Sequence, residues 1–367
     1  MSKKIVHLIA AARPNFMKIA PLYHALAGTS WCEPRIIHTG QHYDANMSDS
    51  FFIDLSMPEP YCHLNVGSGS HAEQTGHVMI EYEKIALSDK PDAVVVAGDV
   101  NSTVACAMVC AKQWIPVAHL EAGLRSGDRK MPEEINRIMT DAICDLLWTP
   151  SPDGDENLLA EGVAAARIDR VGNIMLDSYE MLKDRIAASA ARRGFGLEDG
   201  AYAVVTLHRP SNVDDPQTLT KLVHQLIAVS NTLPILFAVH PRTRKRLESF
   251  ALLEGLTGAA QVTLCEPLSY IEFMNLVSGS RLVISDSGGV QEETTYLNIP
   301  CLTVRDNTER PITITEGTNR LIKPADLLSS VTAVLESPPA DGRRPDLWDG
   351  KAAGRARDSL ARWLKVD

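Results

Sequence analysis

Leu282-Val283-Ile284-Ser285-Asp286-Ser287-Gly288-Gly289-Val290-Gln291-Glu292-Glu293-Thr294-Thr295-Tyr296-Leu297 is the stretch on which the reading of the fold turns. A short apolar run ends in small and polar residues, and a helix-length pattern follows at once. Such a run reads as a parallel strand buried on both faces, feeding a helix through a tight loop. Ser287 and two glycines at the helix start leave backbone N–H groups uncovered, and the helix dipole adds a field that favours an anion. The loop matches neither a Walker sequence nor G-x-G-x-x-G, so it reads as a phosphate cradle of another kind. Glu292 and Glu293 lie in the first turn, where acids favour the dipole or can accept a ribose hydroxyl.

Working outward, the same unit recurs at residues 4–11, 93–97, 116–120, 203–207 and 235–239. Strands alternating with helices predict an α/β fold of doubly wound parallel sheets. The pattern fills residues 1–170 and restarts near 200, and 367 residues is a two-domain length. The expected division is 1–172, 173–350 and a C-terminal helix, 351–367, packing back on the first domain. A hinge is expected near 171–178, with a cleft between two Rossmann-like domains.

Composition narrows the function. There are 36 Lys and Arg against 46 Asp and Glu, a net charge of -10 without a basic block, so a nucleic-acid partner is not expected. Aromatics at 5% also argue against a single-strand stacking platform. No apolar run approaches the roughly 18–20 residues of a membrane span. Seven scattered cysteines fit a reducing cytoplasm better than a disulfide scaffold. The N-terminus superficially resembles a signal peptide, yet its apolar part contains His7 and runs into Arg13-Pro14, so it reads as a first buried strand.

In open parallel sheets ligands bind outside the carboxyl ends of the strands, and the chemistry-bearing residues fall there. Gly98-Asp99 follows residues 93–97, Glu121 follows 116–120, and Met131-Pro132-Glu133-Glu134 opens a helix that carries Arg137. Asp99 can simply cap its helix, and Glu133 alone is an ordinary helix start. A carboxylate such as Glu121 at the end of a buried strand is costly unless paired or used. Three such acids on neighbouring loops suggest acid/base work. Arg13 and Lys18 form a basic pair at the first strand–helix junction, where they can bind an anionic substrate, and Arg137 and His240 are further substrate-binding candidates. In the second half His208 and His240 each stand at a strand end, and Arg305 and Arg310 lie in a loop where one can pair with a diphosphate. The histidines and cysteines lack metal-site spacing, so no metal is expected.

Taken together these segments resemble the non-hydrolysing UDP-N-acetylglucosamine 2-epimerases over nearly the whole chain. The matching pieces are Arg13-Pro14…Lys18, Thr39-Gly40-Gln41-His42, Gly98-Asp99…Thr103, His119-Leu120-Glu121-Ala122-Gly123-Leu124-Arg125, and Pro132-Glu133-Glu134…Asn136-Arg137. His208-Arg209, Ser285-Asp286-Ser287-Gly288-Gly289…Glu292-Glu293 and Thr308-Glu309-Arg310-Pro311 continue the series. The resemblance implies a GT-B-type fold, a UDP-sugar substrate, no cofactor, a homodimer and a place in polysaccharide biosynthesis. It puts uridine diphosphate against Arg13, Phe273, Ser287, Gly288, Gly289, Glu293 and Arg310. It puts the catalytic acids at Asp99, Glu121 and Glu133, with His208 from the other domain. The implied reaction interconverts UDP-N-acetylglucosamine and UDP-N-acetylmannosamine by elimination and re-addition of UDP through a 2-acetamidoglycal. Two alternatives stand beside it: a 2-epimerase of UDP-2,3-diacetamido-2,3-dideoxy-glucuronic acid, and a GT-B glycosyltransferase. The segments around His42–Ser48 and Gly67–His71 look closer to the diacetamido epimerases, whereas Thr308-Glu309-Arg310-Pro311 looks closer to the simple ones.

Overall fold

The computed structural model describes residues 3–11, 13–40, 52–337 and 344–366, with Arg13 and Pro14 described in their backbone alone. The chain forms two compact units, Met1–Met181 with Asp346–Asp367, and Leu182–Pro345. Among the described residues no helix is long and apolar enough to cross a membrane.

The first unit is a seven-stranded parallel sheet. Its strands are β1 (Lys4–Ala10), β2 (Cys32–His38), β3 (Cys62–His63), β4 (Ala93–Ala97), β5 (Val117–Leu120), β6 (Leu146–Thr149) and β7 (Ile168–Arg170), in the order β3-β2-β1-β4-β5-β6-β7. The second unit has β8 (Ala203–Thr206), β9 (Ile235–Ala238), β10 (Val262–Cys265), β11 (Leu282–Ser285), β12 (Cys301–Val304) and β13 (Asn319–Ile322), in the order β10-β9-β8-β11-β12-β13. Every residue of β4, β5 and β11 is buried, His119 and Ser285 included, as short and largely apolar runs predict for strands covered on both faces.

In both sheets the chain winds outward from the first strand, then returns to its other side. The strand order therefore reverses between β1 and β4, and between β8 and β11. Loops diverge at such a point and leave a crevice at the carboxyl ends.

Helix starts follow local chemistry. Proline opens the helices Pro132–Ile143, Pro152–Ala160, Pro216–Ser230 and Pro241–Ser249, where its missing N–H costs nothing. Ser70 with Glu73, and Ser269 with Glu272, form reciprocal capping boxes. The segment 171–178, read above as a hinge, instead enters a continuous helix, Ile174–Ala188, and the division between units falls inside it. A charged helical pattern spans a domain boundary as readily as it lies within one, so sequence alone does not mark the break.

The C-terminal helix Ala352–Leu364 packs on Arg13–Ala27 in the first unit. Trp148 Nε1 donates to Ser359 Oγ (2.9 Å), and Trp348 Nε1 donates to the Pro150 carbonyl (3.0 Å). Asp177 receives the N–H groups of Ala352 (3.0 Å) and Ala353 (2.8 Å) at the start of that helix. Burial pushes the Asp177 carboxyl up to about 6, although these N–H groups oppose the shift.

Because the folded pKa lies above the ordinary 3.8, Asp177 contributes stability that is full below pH 3.8. That contribution is lost as pH rises through about 6. Asp177→Asn should remove this slope, a change of roughly 2–3 kcal/mol across the window. In melting curves from pH 4 to 7 the Tm of wild type should fall relative to that of Asp177→Asn as pH rises through about 6, and a constant difference would show that Asp177 is not the titrating group.

Candidate active site

In the first unit the acids meet where β4 and β5 end side by side, Ala97 opposite Leu120. Glu121 follows β5 directly and is 4% exposed. Its backbone has φ 71°, a left-handed conformation that costs a non-glycine residue about 1 kcal/mol or more. Lys18 Nζ donates to Glu121 Oε2 at 2.5 Å, both side chains being buried. Glu121 Oε1 is buried without a hydrogen-bond partner among the described residues. A buried carboxylate with one oxygen held by an ammonium and the other unmatched is arranged for a ligand rather than for stability. Gly98 makes room for this pair, since a Cβ there would lie 2.8 Å from Lys18 Nζ.

Asp99 stands next to it. Arg137 Nη1 donates to Asp99 Oδ2 (2.5 Å), and Asn136 Nδ2 donates to the Asp99 carbonyl (2.9 Å). Arg137 is aimed by Glu134, whose Oε2 lies 2.9 Å from Nη2. Glu134 also accepts the backbone N–H groups of Ser126 and Gly127. Burial alone would raise the Glu134 carboxyl, but these donors and Arg137 hold it below its ordinary value. Of the two acids that open the helix, Glu134 is therefore a buried brace. Glu133 is exposed and carries no ion pair or hydrogen bond among the described residues.

Beneath the acids His119 ties the two strand ends together, with Nδ1 2.6 Å from Asp141 Oδ1 and Nε2 2.8 Å from the Gly98 carbonyl. Asp141 also binds the Gly123 N–H and Arg125.

In the second unit the organising residue is Asp286, fully buried after β11. Its oxygens accept the N–H groups of His208 (3.0 Å) and Arg209 (2.9 Å) and the Asn212 amide (3.0 Å). The same carboxylate lies 3.0 Å from His208 Nδ1. Burial would raise the Asp286 carboxyl, yet His208, Asn212 and the Arg209 N–H outweigh it and hold it low. A carboxylate only accepts, so Nδ1 of His208 carries the proton and Nε2 is left to exchange one. His240 lies beside it, ring centroids 5.5 Å apart. Burial and then His208 push the His240 imidazole pKa down.

The helix Gly288–Leu297 starts beside this dyad. Ser287 is its N-cap but makes no side-chain capping bond, so the first-turn N–H groups remain uncovered. A Cβ on Gly288 would come within 2.7 Å of Glu309 Oε1 and 2.8 Å of Arg310 Nη1, whereas one on Gly289 would meet nothing within 4 Å. One glycine is pressed against charged groups and the other faces open space. Arg310 Nε is 2.7 Å from Glu292 Oε1. Glu292 is thereby paired with the arginine, and Glu293 is buried beside it. Phe273 is half-buried on the helix Tyr270–Ser278.

The structure thus brings Lys18, Asp99, Glu121 and Arg137 together in the first unit, with Glu133 on the same helix as Arg137. It brings His208, His240, Ser287, Gly288, Gly289 and Arg310 together in the second. The Arg13 side chain and residues 41–51, which include Gln41 and His42 of the matching series, lie outside the described residues. Sequence reasoning assigned no role to Asp286, although the argument that singled out Glu121, an acid ending a buried strand, applies to it equally.

Two parallel-sheet α/β units, each with charged groups gathered where its strand order reverses, define a protein of the GT-B type. Comparison with known proteins takes this one step further. The family model described as UDP-N-acetylglucosamine 2-epimerase matches residues 24–361. A Methanocaldococcus jannaschii UDP-N-acetylglucosamine 2-epimerase is 44% identical over 320 residues, 86% of this chain and 87% of that one. A Pseudomonas aeruginosa UDP-2,3-diacetamido-2,3-dideoxy-D-glucuronate 2-epimerase is 39% identical over 360 residues, covering 96% and 98%. The M. jannaschii UDP-GlcNAc 2-epimerase solved in complex with UDP-GlcNAc and UDP superposes with a TM-score of 0.89, at 40% identity, over 98% of this chain and 99% of that one. The chain belongs to the UDP-N-acetylglucosamine 2-epimerase family.

Proposed function

We propose that this protein is an isomerase interconverting UDP-N-acetylglucosamine and UDP-N-acetylmannosamine without net hydrolysis. The observation that carries the reading is Glu121, strained in its backbone, held on one oxygen by Lys18 and without a hydrogen-bond partner on the other among the described residues. C2 of an N-acetyl sugar is not beside a carbonyl, so its proton is too weakly acidic for simple removal and return. Elimination solves this: the C1–O bond breaks towards the diphosphate, the C2 proton leaves to a base, and UDP and a 2-acetamidoglycal remain bound. Protonation of C2 on the opposite face and return of the diphosphate oxygen to C1 complete the inversion.

Two proton-transfer groups are needed, one for each face, and Asp99, Glu121, Glu133 and His208 are the candidates. The departing diphosphate charge is met by the uncovered N–H groups after Ser287 and by Arg310, with Glu293 on the ribose, Phe273 beside the uracil, and Arg13 as a further contact. Lys18 and Arg137 orient the acids, and His240 flanks His208.

Proton NMR of the purified protein with UDP-N-acetylglucosamine in D2O, without acceptor or added cofactor, tests this. Formation of UDP-N-acetylmannosamine carrying deuterium at C2 is expected. Neither epimer nor exchange would transfer the assignment to the diacetamido-uronic acid substrate, which the P. aeruginosa relative favours.

The proposal extends to a cytoplasmic homodimer serving polysaccharide biosynthesis. All seven cysteines are free, which suits a reducing compartment. Ile80 and Leu87, two turns apart on the helix His71–Asp89, are exposed, and Trp114 is 92% exposed. Gln113 Nε2 donates to Glu83 Oε1 (2.9 Å), which brings Trp114 beside that stripe. Trp114→Glu should turn a dimer into a monomer in sedimentation, and an unchanged dimer would place the interface elsewhere.

A further inference from the structure

Behind the anion cradle lies a row of buried alternating charges. Arg305 Nη2 is 2.9 Å from Glu309 Oε2, Glu309 Oε1 is 2.6 Å from Arg310 Nη1, and Arg310 Nε is 2.7 Å from Glu292 Oε1. The Arg305 side chain is only 5% exposed, although nothing in its sequence surroundings marks it as buried. Its Nη1 has no hydrogen-bond partner among the described residues. Burying a guanidinium on one carboxylate and a weak contact to Asn307 Oδ1 (3.3 Å), with an unmatched nitrogen, is expensive as a stability device. The Glu309 carboxylate would by itself be raised by burial, and the two arginines instead hold it far below its ordinary range.

The row presses directly on the helix start, since the space a Cβ would need on Gly288 is taken by Glu309 Oε1 and Arg310 Nη1. Arg310 therefore has a carboxylate on two sides, an ion pair from Nε to Glu292 and a hydrogen bond from Nη1 to Glu309 Oε1. Glu309 Oε2 in turn is ion-paired with Arg305, by proximity rather than by hydrogen-bond geometry.

We infer that Arg305 is a positioning residue for UDP binding, acting through Glu309 to hold Arg310 against the Ser287–Gly289 helix start. The inference rests on the reading of Arg310 as a diphosphate ligand. With Arg305 in place, Glu309 is shared between two arginines and cannot fold wholly onto Arg310. Without it, the carboxylate is free to close on Arg310 in a bidentate pair and draw the guanidinium away from the incoming phosphate.

A thermodynamic cycle tests this on the full-length protein, with UDP as probe and calorimetric Kd as readout. Arg305→Met should weaken UDP by about tenfold, the size expected for a misplaced charge-assisted hydrogen bond. Arg305→Lys, which restores the charge beside Glu309, should recover most of that loss, and Glu309→Gln should weaken UDP in the same direction. Arg310→Met should weaken it more, and adding Arg305→Met to Arg310→Met should change Kd no further. Thermal melts of each variant identify folded protein for the comparison, and Arg305→Lys supplies the folded reference if Arg305→Met melts early.

UDP affinity unchanged in both Arg305→Met and Glu309→Gln would overturn the inference. So would losses that multiply in the double variant, because Arg305 would then act independently of Arg310. An Arg310→Met protein that binds UDP as wild type does would instead remove the reading of Arg310 on which the inference stands.

Discussion

Glu121→Gln is expected to abolish epimerisation, lowering kcat by roughly 10²–10⁴ as loss of a proton-transfer group does, while calorimetric UDP affinity stays close to wild type. Glutamine has nearly the shape of glutamate, so the turn at φ 71° and the packing around Gly98 can persist. Its amide, however, offers only one oxygen. If that oxygen keeps the Lys18 contact, the NH2 group occupies the place of the unpartnered Oε1, and a donor that takes no proton stands where an acceptor stood. If the amide is reversed, two donors face each other across the Lys18 contact, which costs stability as well. Either arrangement removes a group able to take a proton, and the substitution leaves the residues of the Ser287–Gly289 cradle unchanged. Turnover at the wild-type rate would strike Glu121 from the mechanism. A parallel loss of UDP affinity would mean that its role is binding.

Asp286→Asn should be nearly as damaging through a different route, with kcat reduced by roughly 10³–10⁴, the order seen when an orienting aspartate beside a catalytic histidine is neutralised. Asparagine has an amide NH2 that cannot accept, so the variant cannot satisfy His208 N–H, Arg209 N–H, Asn212 and His208 Nδ1 together. The ring then loses the partner that keeps its proton on Nδ1, and Nε2 no longer waits in the required state.

Stability should fall as well, by about 1–3 kcal/mol for buried donors left unmatched. The pH dependence has a definite sign. The folded-state pKa of Asp286 lies below its unfolded value, so its contribution is present above about pH 4 and lost as pH falls through the folded pKa. The Tm gap between wild type and Asp286→Asn should therefore be widest near neutrality and narrow under acid. A constant gap from pH 7 to pH 3 would show that the carboxylate is not the organising charge.

Sequence reasoning reached the elements because they are encoded locally. The short, largely apolar runs of β4, β5 and β11, bounded by loop residues, read as strands covered on both faces. Proline at 132, 152, 216 and 241 marks helix starts by its missing N–H. The strand-end positions of Asp99, Glu121, His208 and the Ser287-Gly288-Gly289 loop were legible because each follows a short buried run. The carboxyl ends of such strands are where a doubly wound fold opens.

What those residues do to one another was not legible. Lys18 and Glu121 are 103 positions apart, and His208 and Asp286 are 78 apart. They meet only because β1 lies beside β4 and then β5, and β8 lies beside β11. No local pattern distinguishes Glu292, committed to Arg310, from Glu293, or Glu134, the buried brace, from exposed Glu133. Adjacent acids look alike in sequence, and a rotation of about 100° between neighbours sends Glu134 into the protein and Glu133 out. Glu292 and Glu293, both buried, lie beyond the first turn that the sequence suggested, because their helix already begins at Gly288.

The amino-acid sequence by itself thus determined the α/β class, the two-unit organisation, the family and the placing of Asp99, Glu121, His208 and Ser287 at strand ends, all properties of short-range pattern. The tertiary structure decided the pairings: Lys18 on Glu121, Asp286 behind His208, and Arg305 through Glu309 on Arg310. A buried charge takes its state from whichever partner the sheet order brings within about 3 Å, and that order is a property of the assembled sheet.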